Sequence, residues 1–116
     1  MRKTYFIDID GTLLYHIPDF ENIDKHPDLK ALPGAKEKTA QWHCEGDYVI
    51  LVTARPESLR DLTVRQLAAA GIFYDTILMG IGAGERILIN DHEYNKRHKA
   101  WAYNILRNVD GIKDIP

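Results

Sequence analysis

Apolar residues are concentrated in five short, continuous runs along the chain, and each run is bounded by residues that favour turns. The runs cover residues 5–9, 48–52, 76–79, 87–89 and 101–105. Continuous apolar runs of this length are typical of strands that are buried on both faces, as in a parallel sheet covered by helices. The pattern therefore predicts five strands in a mainly parallel sheet.

Two helices are predicted between the first three strands. One covers residues 35–45, because Pro33 and Gly34 precede it and Gly46 follows it. The second begins at Pro56 and has one apolar side, which is formed by Leu59, Leu62, Leu67 and Ala70. Parallel strands need such crossover helices, so the two patterns agree.

The alternation of strands and helices predicts a doubly wound, Rossmann-like α/β fold with three layers and a sheet of about five strands. The 116 residues are enough for a single domain. Residues 14–32 are polar, contain two prolines and show no clean period, so we expect a flap or loop over the site. In such sheets ligands bind beyond the carboxyl ends of the strands.

Composition narrows the class of protein. The net charge of -2 argues against an extended basic surface for duplex nucleic acid. The chain has no run of 18 apolar residues and no signal-peptide pattern near Met1, so we expect a cytoplasmic protein without a membrane partner. The single cysteine, Cys44, has no disulfide partner and is expected to pack within the first helix.

Two carboxylates end the first predicted strand, in the order Asp8-Ile9-Asp10-Gly11-Thr12. Because side chains alternate along a strand, the two aspartates project to the same side, and the glycine lets the chain turn sharply. Like charges at this distance repel unless a cation lies between them or one carboxyl keeps a proton. Both arrangements are suited to phosphoryl transfer.

The second predicted strand ends in Thr53-Ala54-Arg55-Pro56, where a hydroxyl and free backbone amides meet a helix N-terminus. Such ends favour anions, so Thr53 is expected to hold a phosphoryl oxygen, with Ala54 beside it. Arg55 offers a bidentate donor for phosphate. The alternatives are that Thr53 is only a helix cap and that Arg55 is only a solvated side chain.

The fourth predicted strand ends in Asn90-Asp91-His92-Glu93. Asp91 can supply a further carboxylate oxygen to an octahedral Mg²⁺, and Asn90 can support it through water. His92 is expected to shape the substrate pocket. Zinc is disfavoured because His92 and His98, six residues apart, would not share a helix face.

Together these segments resemble the haloacid dehalogenase (HAD) superfamily of Mg²⁺-dependent phosphatases and phosphotransferases over most of the chain. Residues 8–12 match its first motif, residues 52–53 match its second, and residues 87–91 resemble its acidic fourth motif. The resemblance implies that Asp8 attacks phosphorus to give an aspartyl-phosphate, and that Asp10 protonates the leaving oxygen and then activates water. It also implies that the Asp10 backbone carbonyl binds the metal.

One feature departs from this family pattern, which usually places a lysine or arginine before the fourth strand. Residues 79–85 contain no cation. Arg86 is rejected as the replacement because it begins the strand that Asp91 ends, which places it roughly 16 Å from the site. The replacement is expected downstream of Asp91, from Lys96, Arg97 or Lys99, and Lys96 is preferred. The glycines at positions 80, 82 and 84 precede a predicted strand, so they are interpreted as a flexible connection.

The sequence thus predicts a small, capless HAD-like phosphohydrolase that cleaves a phosphate monoester with Mg²⁺, with Gly11 and Thr12 at the substrate. An open site suits a phosphorylated saccharide, nucleotide end or protein; alternatively, a second copy in a homo-oligomer closes over a small substrate. Residues 53–56 also resemble the phosphatase part of polynucleotide kinase-phosphatases. The main alternative is a catalytically weak or inactive HAD-fold domain with a phosphate-binding or regulatory role. A phospho-receiver domain is disfavoured, because its phosphorylated aspartate would follow the third strand, and here that strand ends in Met79-Gly80.

Overall fold

A computed structural model describes all 116 residues of the chain. Its strands and α-helices are, in chain order, β1 (Thr4–Asp8), α1 (Ala35–Cys44), β2 (Tyr48–Val52), α2 (Arg60–Ala69) and β3 (Thr76–Leu78). Two 3₁₀ segments cover Phe20–Lys25 and Glu57–Leu59, and the second leads into α2. The first three predicted strands and both predicted helices are therefore present, with ends shifted by a few residues.

The three strands form one parallel sheet in the order β1-β2-β3. Ile7 lies beside Leu51, and Leu51 lies beside Ile77. In the same register, the last residues of the strands are neighbours: Asp8 pairs with Val52, which pairs with Leu78. All three strands thus point their carboxyl ends to one edge of the sheet, where the predicted site was placed.

The helices cover one face of the sheet. The buried strand residues all belong to that face, and they are Ile7, Val49, Leu51 and Ile77. They share one apolar cluster with Trp42 of α1 and Leu67 of α2. On the opposite face Phe6 is 56% exposed and Leu78 is 44% exposed. The prediction of a doubly wound, three-layer fold is wrong here, because strands that follow chain order place right-handed crossovers on the same side.

The fourth and fifth predicted strands are absent. Residues 87–89 and 101–105 belong to no strand, and the exposed fractions of Ile87, Ile89 and Trp101 are 78%, 90% and 62%. The sheet of about five strands is therefore a sheet of three. An apolar run favours a strand only where a neighbouring edge pairs with it, and sequence alone does not supply that edge.

The first helix is anchored by an aromatic contact with β1. Trp42 is 1% exposed, and its ring stacks on that of Tyr5 with centroids 3.8 Å apart. Cys44 is the last residue of this helix and is exposed, so the prediction that it packs is wrong. Neither α-helix combines the length and the apolar character that crossing a membrane requires.

The last residues of the chain return to its first loop. The Asn108 amide donates to the Gly11 carbonyl at 3.0 Å, and the Ile112 amide donates to the Pro33 carbonyl at 2.9 Å. The Ile112 side chain is 4% exposed and joins the core. Residues far apart in sequence therefore meet beside the carboxyl end of β1.

Candidate active site

A cavity of about 370 Å³ opens at the carboxyl ends of the strands. Five residues that the sequence analysis assigned to the site line it: Asp8, Asp10, Thr53, Ala54 and Arg55. The first two follow or end β1, and the other three follow β2. The structure thus brings together the first two predicted segments in a cavity large enough for a small ligand.

Asp8 is a cavity-lining acid whose pKa is raised. Burial is the main cause of the raised pKa, and the negative charge of Asp10 adds to it. A hydrogen bond from Thr12 and the positive charge of Arg86 oppose the rise without cancelling it. The Thr12 hydroxyl donates to Asp8 Oδ2 at 3.2 Å. Thr12 therefore contacts the predicted nucleophile. Asp8 forms no ion pair within the chain, which leaves its carboxylate available to a ligand.

Asp10 is held differently, by a bidentate pair with Arg55. Arg55 Nε donates to Asp10 Oδ2 at 2.9 Å, and Nη2 donates to Oδ1 at 2.8 Å. The Arg55 side chain is fully buried, and that of Asp10 is 14% exposed. Parallel hydrogen bonds of this kind fix the plane of the carboxylate as well as its position.

The remaining contacts of Arg55 connect the site to α2. Its Nη1 donates to Thr63 Oγ1 at 2.9 Å and to Gln66 Oε1 at 2.6 Å. Gln66 in turn donates to the backbone carbonyl of His26, at 2.7 Å. The sequence predicts that this arginine binds phosphate or is solvated. In the structure it is buried, and its fork is directed to Asp10.

Thr53 is 1% exposed and lies at the end of β2. Its hydroxyl oxygen accepts a hydrogen bond from the Arg55 amide at 3.1 Å, which is a contact within the turn and not a helix cap, since the N-cap residues are Pro56 and Leu59. A hydroxyl that accepts one hydrogen bond still has its proton to donate. Thr53 therefore stabilises the turn after β2 without losing its capacity to bind an anion.

Part of the predicted flap covers the cavity. His16 and Phe20 both line it, and their rings are nearly parallel, with centroids 6.0 Å apart. The Arg55 guanidinium carbon lies 5.7 Å from the centre of the Phe20 ring. Aromatic side chains thus form one wall of an otherwise polar site.

Two arginines at the cavity were not assigned to it by the sequence analysis, Arg86 and Arg107. Arg86 was rejected on the assumption that residues 86–89 form a strand, and the structure has no strand there. The premise of the rejection is therefore wrong, because Arg86 lines the cavity. A signal existed, since Arg86 is the first cation after the region where one was expected. Nothing in the local sequence distinguishes Arg107, which reaches the cavity only through tertiary contacts.

The predicted residues of the fourth segment lie elsewhere. Asn90, Asp91, His92 and Lys96 are exposed and do not line the cavity. His92 Nε2 lies 2.7 Å from the backbone oxygen of Lys96, and its ring meets that of His98 edge-on. Because residues 87–89 form no strand, the segment that follows them is not delivered to the sheet edge. No group of three His, Cys, Asp or Glu side chains is arranged to hold a metal ion.

Comparison with known proteins gives one structural similarity. No family model matches the chain, and no curated protein matches it significantly. A crystal structure of a structural-genomics (MCSG) target from Vibrio cholerae is similar, with a TM-score of 0.54 and 18% sequence identity. The match covers 76% of this chain and 79% of that one. At this identity the similarity shows a shared α/β fold and carries no information about activity.

Proposed function

We propose that the chain is a phosphomonoester hydrolase of the HAD-like type, in which Asp8 is the nucleophile. The observation that carries the proposal is a carboxylate at the end of a parallel strand that has no ion-pair partner. It lines the same cavity as Thr53 and three arginines. Carboxylates, hydroxyls and guanidinium groups at such an edge suit a phosphoryl group.

The chemistry has two steps. An Asp8 carboxylate oxygen attacks phosphorus, the bond from phosphorus to the ester oxygen breaks, and an aspartyl-phosphate forms with release of the alcohol. Water then attacks phosphorus, the bond from phosphorus to the Asp8 oxygen breaks, and inorganic phosphate leaves as the carboxylate is regenerated. Asp10 gives a proton to the departing ester oxygen in the first step and takes one from water in the second, and Arg55 acts as a positioning residue that orients it. A carboxylate needs no base to act as a nucleophile once it is ionised.

Arg86 takes the place that the sequence analysis gave to Lys96. Arg86 lines the cavity, and its positive charge opposes the rise in the pKa of Asp8. A cation near the nucleophile offsets the repulsion between the carboxylate and an incoming phosphate, and it stabilises charge on the transferring group. Its guanidinium also donates to the Gly84 carbonyl at 2.9 Å, which ties it to its own loop.

Magnesium is the cofactor that the family resemblance implies, and the ligand set predicted for it does not fit this structure. Asp8 and Asp10 line the cavity, but the other two predicted ligands, Asn90 and Asp91, do not. Magnesium keeps several waters and takes ligands from substrate phosphate, so its need for protein carboxylates is small. A magnesium requirement stays a prediction.

The test is hydrolysis of p-nitrophenyl phosphate, with Mg²⁺ and with a chelator. We expect turnover that Asp8→Asn lowers by several orders of magnitude, as loss of a nucleophile does in other enzymes. The exposed Asp28, outside the cavity, supplies the control Asp28→Asn, which should retain full activity. Equal activity in the two variants would exclude Asp8 as the nucleophile.

A second candidate is a phosphate-binding domain of the same fold without turnover. It is favoured by the bidentate grip of Arg55 on Asp10 and by the distance of the fourth segment from the cavity. A binding domain would bind inorganic phosphate in calorimetry yet hydrolyse no ester. Because Asp8 would then only repel the anion, Asp8→Asn would tighten phosphate binding.

A further inference from the structure

We propose that Arg107 is a specificity-determining residue that binds a second anionic group on a small substrate whose phosphoryl group lies at Asp8. The inference rests on the proposed function and deepens it, since it names the class of substrate: a phosphate monoester that carries a carboxylate or a further phosphate. Its basis is the way in which the chain end holds this arginine at the cavity.

The stem of Arg107 lies over the loop that follows β1. Its Cγ is 2.8 Å from the position that a Cβ on residue 11 would occupy, so only glycine leaves room for it there. Gly11 also has a φ of 89°, which disfavours other residues. The loop of the first motif thus accommodates an arginine that is nearly a hundred residues away in sequence.

The next residue, Asn108, fixes the backbone that carries this side chain. Its amide donates to the Gly11 carbonyl, its Oδ1 accepts from the His16 amide at 2.7 Å, and its Nδ2 donates to the His16 carbonyl at 2.9 Å. Its φ of 60° lies in the left-handed region, which asparagine tolerates better than most residues. Arg107 therefore enters the cavity from the side of Gly11 and His16.

The charges in the cavity leave Arg107 without a partner. Arg55 is paired with Asp10, and Arg86 acts on Asp8. The guanidinium of Arg107 forms neither an ion pair nor a hydrogen bond within the chain. An arginine that is anchored through its neighbours and unpaired at its tip presents a planar fork suited to carboxylate or phosphate oxygens.

The volume of the cavity indicates the size of a substrate that can contact both Asp8 and Arg107. A volume of about 370 Å³ fits a small molecule, at the lower end of the range for ligand pockets. Asp8 and Arg107 both line this cavity, so a small molecule with its phosphoryl group at Asp8 can contact Arg107 through a second anionic group a few bonds from the ester oxygen.

The test compares two phosphonates that cannot be hydrolysed and differ by one group: methylphosphonate and phosphonoacetate. In calorimetry the wild type should bind phosphonoacetate more tightly. Arg107→Gln keeps the stem over Gly11 and removes the charge, and it should weaken phosphonoacetate binding by about 10- to 100-fold, the range of one charge-assisted hydrogen bond or two. Methylphosphonate binding should change less than about threefold. Arg65→Gln, on the exposed side of α2, is the matched control.

Equal weakening of both probes would overturn the assignment, because Arg107 would then bind the same phosphate as Arg86. No weakening of either would overturn it as well. Methylenediphosphonate shows whether the second anionic group is a carboxylate or a phosphate. If the wild type binds methylenediphosphonate more tightly than phosphonoacetate, and Arg107→Gln removes that preference, the second group is a phosphate.

Hydrolysis gives a separate readout, with ethyl phosphate and phosphoglycolate as the matched esters. Arg107→Gln should raise KM for phosphoglycolate by about tenfold or more and change KM for ethyl phosphate by less than about threefold. If the wild type hydrolyses neither ester while the phosphonate preference depends on Arg107, the proposed hydrolase function fails and the second anion site stands.

Discussion

Asp8 is a partly buried carboxyl group whose charge is only incompletely compensated. Burial dominates the rise in its pKa, and the hydrogen bond from Thr12 and the charge of Arg86 do not cancel it. At the scale of single residues, this is the feature most closely tied to function, because a nucleophile must be ionised to react.

Activity should depend on pH through Asp8. Because the pKa of Asp8 is raised, kcat/KM for a phosphomonoester should increase with pH through a value above the ordinary aspartate pKa of about 4.

The same raised pKa makes the free energy of unfolding depend on pH, because the folded state binds the Asp8 proton more tightly than the unfolded chain does. The stabilisation that this proton gives is complete below about pH 4 and is lost as the pH rises through the pKa of the folded state. Asp8→Asn should therefore have a higher Tm than the wild type at pH 7 and a similar Tm at pH 3.5. A lower Tm at pH 7 would contradict this.

The buried pair of Arg55 and Asp10 should contribute strongly to stability. Arg55→Met keeps an apolar stem but leaves the Asp10 carboxylate, Thr63 and Gln66 without their donor. The free energy of unfolding should fall by about 3–5 kcal/mol, measured by urea denaturation. Arg60→Met, which removes the exposed pair with Glu57, is the control and should change stability little. Similar losses in the two variants would show that burial of the first pair does not matter.

At the scale of elements, the decisive difference lies after β3. The sequence predicted a fourth strand over residues 87–89 that delivers Asp91 to the sheet edge, whereas the structure leaves this segment exposed and brings Arg86 to the cavity. An apolar run of three residues is too short to specify strand or coil without a partner. The two interpretations make opposite predictions.

Hydrolysis assays of two variants separate them. From the structure, Arg86→Gln should lower kcat/KM by about 10- to 1,000-fold, because a charged donor near the phosphoryl group is lost. Asp91→Asn should stay within about threefold of the wild type, since its side chain is outside the cavity. A large loss in Asp91→Asn would instead favour the sequence interpretation, in which this carboxylate is a ligand for magnesium.

At the scale of the whole molecule, the cavity depends on the chain end closing on the first loop. Gly111 is the tightest point of this contact: its φ is 61°, and a Cβ there would collide with the backbone of Pro33. Gly46 offers a matched comparison, because its φ is 82° but no atom lies within 4 Å of a Cβ. Both glycines relieve backbone strain, and only one of them also relieves a collision.

Gly46→Ala should cost about 1–2 kcal/mol, the strain of a left-handed residue. Gly111→Ala should cost about 1–3 kcal/mol more, because the collision forces the last residues away from Pro33. It should also weaken phosphonoacetate binding, since the same segment carries Arg107. Chemical denaturation and calorimetry measure the two effects, and equal costs at both glycines would mean that the contact with Pro33 adds nothing.

Local patterns in the sequence predict the first three strands, both helices and the placement of Asp8, Asp10 and Thr53 at one sheet edge. The signals that suffice there are apolar runs, glycine and proline at the helix ends, and the direction of parallel strands. Tertiary contacts set the number of strands, the pairing of Arg55 with Asp10, and the arrival of Arg86 and Arg107 at the cavity. These depend on contacts between distant segments, and the energy of such contacts is not encoded in any local pattern of residues.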